Sequence, residues 1–130
     1  MLIAKNCDLG EQKIGVGAQE LLANGFLSGK ITRDTVFEKN HLNARYPREE
    51  IIERVEYLEK MDFLLRGEID TWPKAAMRWI LDKPNVSLVL SGARNRAEIL
   101  EYIQASNAQR YSETELARSQ ELHSRDFQAA

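Results

Sequence analysis

The sequence holds one cysteine, Cys7, in 130 residues. An internal disulfide is thereby excluded, and the cytoplasm is the expected compartment. A surplus of charge is also missing. The 18 Lys and Arg against 20 Asp and Glu leave a net charge of -2, with both signs interspersed. Such a chain offers neither the broad basic field that nucleic acid requires nor a polybasic patch for a membrane. No apolar run is long enough to span a bilayer, and MLIAKNCDLG lacks the layout of a signal peptide. The two histidines, His41 and His123, stand far apart and show no metal-ligand spacing. There is no internal repeat and no low-complexity tract. What is present, 43% hydrophobic and 29% charged residues, is the composition of a single globular domain large enough to bury a core.

Along the chain, 3–11 reads as a short helix interrupted at Gly10, and the run IGVGAQELL between Lys13 and Leu22 as the first strand. A loop of about twenty residues, with room for one helical turn, follows to Tyr46; a loop that long is usually functional or hides an element. Pro47 suits the first turn of a helix, and REEIIERVEYLEKMDFLLR places Ile51, Val55, Leu58, Met61 and Leu65 on one face. Thr71 is a plausible N-cap for a second helix, with Pro73 in its first turn and Ala75, Ala76, Trp79 and Ile80 as its apolar face. That helix ends at Lys83-Pro84. VSLVL, Val86 to Leu90, is the clearest strand. Asn95 with Glu98, and Ser112 with Glu115, have capping-box spacing for helices over 96–106 and up to about Phe127. Two strands separated by helices read as parallel with a right-handed crossover. Two parallel strands make a very small sheet, so the chain reads as part of a larger α/β architecture.

The glycine loop NGFLSGKIT is the main candidate for chemistry. It fails as a nucleotide-triphosphate loop, because only Phe26, Leu27 and Ser28 lie between Gly25 and Gly29, and Ile31 follows Lys30. With QELLANGFLSGKIT, RYPREEIIERV and AAMRWILDKPNVSLVLSGARN in this order, however, the chain resembles the C-terminal segment of an aldo-keto reductase. The resemblance runs from about Cys7 to Phe127. It implies an α/β fold: a partial (β/α)8 TIM-barrel segment, mostly helical with about two parallel strands, supplying strands seven and eight. Phosphate often binds at the loops after those strands.

The resemblance further implies NADP(H) as cofactor. After strand seven, Leu22, Ala23, Gly25, Ser28, Gly29 and Lys30 match the family's pyrophosphate loop. After strand eight, Gly92 allows close approach, and Arg94 and Asn95 stand at a helix N-terminus, where amides and dipole favour an anion. Arg94 is the best candidate for the adenosine 2′-phosphate, because a guanidinium binds phosphate in a bidentate fork, and Glu101 matches the acidic position that accepts from the adenine amino group. Four positions depart from the family pattern: Leu21 for proline, Asn43 for arginine (with Arg45 close by), Glu98 for glutamine or arginine, and Tyr102 for asparagine.

The same resemblance places an Asp, Tyr, Lys and His tetrad in the N-terminal half of the barrel, so catalysis by this chain alone is not expected. His41, His123, Tyr46, Tyr57 and Tyr111 read as packing or surface residues, and Trp72 and Trp79 as core anchors. The expected partners are a separate N-terminal barrel half or further copies of the chain, buried around Ile14 to Val16 and Val86 to Leu90. The alternative is a stand-alone module that oligomerises or binds a partner or nucleotide.

Overall fold

The computed structural model describes residues 14–125. The first strand, β1, is only Gly17–Ala18, and a 3-10 segment over Ala23–Ser28 follows it. A second 3-10 turn, Leu42–Arg45, leads into helix α1, Arg48–Lys60. A third, Asp62–Leu64, precedes α2, Trp72–Leu81. Strand β2, Leu88–Val89, is followed by α3, Arg96–Asn107, and α4, Glu113–Ser124. The strands pair in parallel, Gly17 beside Leu88 and Ala18 beside Val89, as their separation by helices requires.

Both strands are shorter than IGVGAQELL and VSLVL led one to expect. Gly15 and Gly17 bring no side chain to pack, and Ile14, Leu88 and Leu90 are exposed, so nothing among the described residues extends the ladder. Helix α1 also stops early. Its expected stripe breaks after Val55; the 3-10 turn at 62–64 rotates the chain and buries Leu64 where a continuous helix would have aimed Leu65 inward. The long loop contains two helical turns rather than one. The expected helix at 3–11, Cys7 and Phe127 lie outside the described residues.

Helix α2 is the centre of the molecule. Thr71 caps it by accepting from the Lys74 amide, and Pro73 occupies its first turn without wasting an N–H. Its Met77 and Ile80 join Leu21, Tyr102 and Ala105 in one apolar cluster. Its Ala75 joins Leu64, Ile69, Ala108 and Tyr111 in a second. Trp79 packs against both, and its indole N–H donates to the Ser119 hydroxyl at 2.8 Å. Trp72 and Trp79 are thus core anchors, as expected. Arg78 is buried beside Asp82 (2.8 Å) and also donates to the Ser106 carbonyl at 2.8 Å. Asp82 in turn accepts from the Tyr111 amide at 2.9 Å. Buried charges of this kind persist only when paired and hydrogen-bonded, and here the pair ties α2 to the end of α3 and the approach to α4.

Candidate functional site

The loop after β1 is held in a strained shape. Glu20, Ala23 and Asn24 all have positive φ (58°, 46° and 57°), and among the described residues they are the non-glycine residues that do. Such conformations cost about 1–3 kcal/mol each and persist where the surroundings over-determine them. Here the surroundings do so. The Leu22 carbonyl accepts from the amides of Gly25 (2.9 Å) and Leu27 (3.1 Å). Ser28 Oγ donates to the Gly25 carbonyl at 2.6 Å and accepts from the Lys30 amide at 3.2 Å. Phe26 is buried edge-on against Tyr46 (5.6 Å), with the Arg54 guanidinium 4.9 Å from its ring. Gly29 needs its left-handed φ of 72°, and a Cβ there would meet Trp72 Cδ1 at 3.1 Å.

Asn43 is a second clamp on this loop. Its side chain is buried, and Nδ2 donates to the Asn24 carbonyl at 3.0 Å, across 19 residues. Its Oδ1 is a buried acceptor with no partner among the described residues. Sequence reading places Asn43 as a nucleotide-facing position that has lost an arginine; in the structure it is a loop anchor. His41 starts the same turn, its Nδ1 accepting from the Asn43 amide at 3.1 Å, and its ring stacks on Phe37.

The loop after β2 is open by contrast. Residues 90 to 97 are exposed. Asn95 caps α3, its Oδ1 accepting from the Glu98 amide at 3.0 Å. The expected reciprocal half of a capping box is absent, because the Glu98 carboxylate reaches past Asn95 to the Arg94 amide, 2.7 Å away. Arg94 Nη2 donates to the same carboxylate at 3.3 Å. The Arg94 amide first, then the guanidinium and more weakly Lys30, hold Glu98 below the usual carboxylate range. The amides of Arg96 and Ala97, at the open end of the helix, have no acceptor among the described residues. Ser112 and Glu115 form the complete capping box on α4.

Between these loops and α2 lies a cleft of ≈ 550 Å³. It brings together Lys30 from the first loop, Asn95 from the second, and Glu98 and Glu101 from α3, with Thr71 and Lys74 of the α2 start opposite. Of the residues picked out from the sequence, the cleft therefore gathers Lys30, Asn95 and Glu101. Leu22, Ala23 and Gly25 shape the loop behind it, Gly92 lies in the exposed turn, and Arg94 points outward with its side chain 84% exposed. The Glu101 carboxylate accepts from the Thr71 hydroxyl. Tyr102, read from sequence as a replaced nucleotide contact, is buried in the core, its hydroxyl directed at the Gly92 carbonyl. Sequence reading takes Thr71 only as an N-cap and passes over Lys74; the link of Thr71 to the cleft is a contact to Glu101 thirty residues on, with no local signal. A larger depression of ≈ 810 Å³ runs along α1 over Glu50, Glu53 and Glu56. Its walls come from α1 and the Pro47 before it, and its lining carboxylates Glu50 and Glu56 are already paired with Arg54 and Arg33, so the smaller cleft is the candidate site.

The cleft mixes cations, Lys30 and Lys74, with the carboxylates Asp70, Glu98 and Glu101, and Lys74 is paired with Asp70 at 2.7 Å. Lys30 and the first-turn amides of α3 are donors of the kind that suits phosphate oxygens, and Glu101 is an acceptor of the kind that suits an amino group. Among the described residues, no group of His, Cys, Asp and Glu could hold a metal ion, and no helix is long and apolar enough to cross a membrane.

The chain is similar to known proteins over most of its length. A model of the aldo/keto reductase family matches residues 5–124. Over 82 residues the chain is 32% identical to the aldo-keto reductase YhdN of Bacillus subtilis (strain 168), a stretch covering 60% of this chain and 25% of that protein. Its fold superposes on the glycerol dehydrogenase AKR11B4 of Gluconobacter oxydans with a TM-score of 0.75 at 22% identity, covering 94% of this chain and 38% of that one. The chain thus matches well under half the length of either relative.

Proposed function

The chain belongs to the aldo/keto reductase family, and from that premise we propose that it is the dinucleotide-binding part of an oxidoreductase barrel. In this reading β1, β2 and their helices correspond to strands seven and eight of a (β/α)8 barrel, and the cleft between their loops receives the cofactor. Lys30 pairs with the pyrophosphate, whose oxygens also meet the amides at the start of α3. Glu101, oriented by Thr71, accepts from the adenine amino group. Arg94 is the guanidinium available to a 2′-phosphate, which makes NADP(H) the cofactor toward which the resemblance points. The bound nicotinamide would supply hydride chemistry. No residue of the cleft is placed to donate a proton to a carbonyl, so carbonyl reduction needs residues from elsewhere in a barrel.

The observation that carries this reading is the convergence of Lys30, Asn95 and Glu101, 71 positions apart at the extremes, on one cleft. Titration of the purified chain with NADPH and with NADH, followed by calorimetry, tests it. Saturable binding that weakens about tenfold in Lys30→Ala is expected for loss of a charge-assisted phosphate contact. Binding that ignores Lys30, or no saturable heat up to millimolar nucleotide, overturns it.

A second reading has its own support. Leu88 and Leu90 on the strand side, and Ile99 and Ile103 one turn apart on α3, are each about half exposed or more. Apolar stripes of this extent mark association surfaces. The chain therefore functions in an assembly, with a separate barrel half or a second copy over these faces. Light scattering at micromolar concentration should give a dimer or larger species, or a complex once the other half is supplied. A monodisperse monomer that captures no such half contradicts it.

A further inference from the structure

The four tyrosines of the chain differ in what their hydroxyls do. Tyr111 is buried and donates to the Leu64 carbonyl at 2.8 Å, and Tyr102 is buried with its hydroxyl directed at the Gly92 carbonyl. Tyr57 donates to the Glu53 carboxylate. Each of these three phenols gives its proton to an acceptor. Tyr46 is arranged the other way: its oxygen accepts from Arg45 Nη2 at 3.0 Å, in a contact that lies at the surface. The Arg45 guanidinium stands 4.9 Å from the centre of the same ring and that of Arg54 4.6 Å. Arg54 also holds Glu50 at 2.6 Å, so Arg45 is the cation whose hydrogen bond goes to the phenol. A phenol oxygen that becomes anionic here gains a charge-assisted hydrogen bond, stronger than the one its neutral form accepts. That hydrogen bond from Arg45, against a smaller effect of burial and helped by the charges of Arg45 and Arg54, holds Tyr46 below the ordinary tyrosine range. Burial pushes Tyr102 and Tyr111 above it.

We propose that Tyr46 is a nucleophilic tyrosine, a modification site that takes up an acyl group from an activated acyl donor such as an acyl imidazole or a thioester, with Arg45 as its positioning residue. In the step, the Tyr46 oxygen bonds to the carbonyl carbon of the donor. The bond from that carbon to its leaving group breaks with its electron pair, and the phenolic proton passes to the leaving group. Nothing is oxidised or reduced. Arg45 stabilises the negative charge that gathers on the oxygen as the proton departs. The ring packs edge-on against Phe26, so the attached group sits beside the loop that bears Lys30.

The test treats the full chain with limiting N-acetylimidazole and follows the acetylation rate of each tyrosine by peptide mapping, with hydroxylamine release confirming a phenyl ester. Tyr46 should be acetylated first, about fivefold faster than Tyr57, the rate effect of one hydrogen bond to a charged group. Tyr102 and Tyr111 should stay unmodified while the chain is folded. Arg45→Ala should slow Tyr46 by about the same factor and move the rise of its rate with pH to higher pH, a displacement that loss of packing alone does not produce. Arg45 is exposed, and Arg45→Gln takes its place should the alanine variant fail to fold by circular dichroism. Labelling of another tyrosine ahead of Tyr46 overturns the proposal. So does a Tyr46 rate and pH profile indifferent to Arg45.

Discussion

The loops after β1 and after β2 reach one cleft by opposite means. The first is determined by packing: Phe26 is buried, Gly29 lies against Trp72, and Asn43 grips the Asn24 carbonyl from a distant turn. Its strained residues are held whether or not a ligand is present. The second has no buried side chain from 90 to 97, and its order comes from Asn95 and Glu98 on the first turn of α3. The difference is one of support: the packed loop has a backbone fixed by distant contacts, whereas the open loop is ordered by charges paired within residues 94–98.

The largest expected effect breaks the packed loop. Phe26→Ala should cost about 3–4 kcal/mol in urea denaturation, the usual penalty for emptying a buried aromatic site. Gly92→Ala in the open loop should change stability by less than about 0.5 kcal/mol, since its Cβ would meet no atom within 4 Å. Equal costs at the two positions would erase the contrast. Next comes Gly29→Ala, expected to lose about 2 kcal/mol from its left-handed backbone and the 3.1 Å approach to Trp72. A neutral result there would mean that the loop relaxes freely.

Acid should act most strongly away from both loops. Arg66, by hydrogen bond, is the main cause holding Glu115 down to about 2, against an ordinary 4.5. A depressed carboxylate contributes stability that is complete above about pH 4.5 and is lost as pH falls toward 2. For this partly exposed pair the loss should be about 1–2 kcal/mol, and Glu115→Gln should flatten the pH dependence of the melting temperature over that window. The smallest effect belongs to the open loop: Asn95→Ala removes the α3 cap for about 1 kcal/mol and should loosen Glu98 more than it destabilises the fold. Hydrogen exchange confined to the first turn of α3 would register it.

How far these features can be read from sequence follows the range of the interaction. Thr71 and Ser112 announce their helices because a cap bonds three residues away. The parallel strands were legible in order but not in length, since length depends on neighbours that a single chain cannot display. Asn43 was legible only as a missing arginine; its clamp on Asn24 spans a loop that no periodicity describes. The spacing of Asn95 and Glu98 predicts the cap, yet the Glu98 carboxylate turns to the Arg94 amide rather than to Asn95. The Thr71 partner of Glu101 lies thirty positions off. Local chemistry is written in the sequence, whereas the pairing of distant polar groups is decided by the fold.

The central claim is that these two loops form one nucleotide cradle. Amide hydrogen exchange of the full chain, with and without saturating NADPH, addresses it directly. The account predicts slowed exchange in 22–30 and in 94–98 together, at the same nucleotide concentration, with the α1 surface unchanged. Protection along α1, or in one loop without the other, would contradict it.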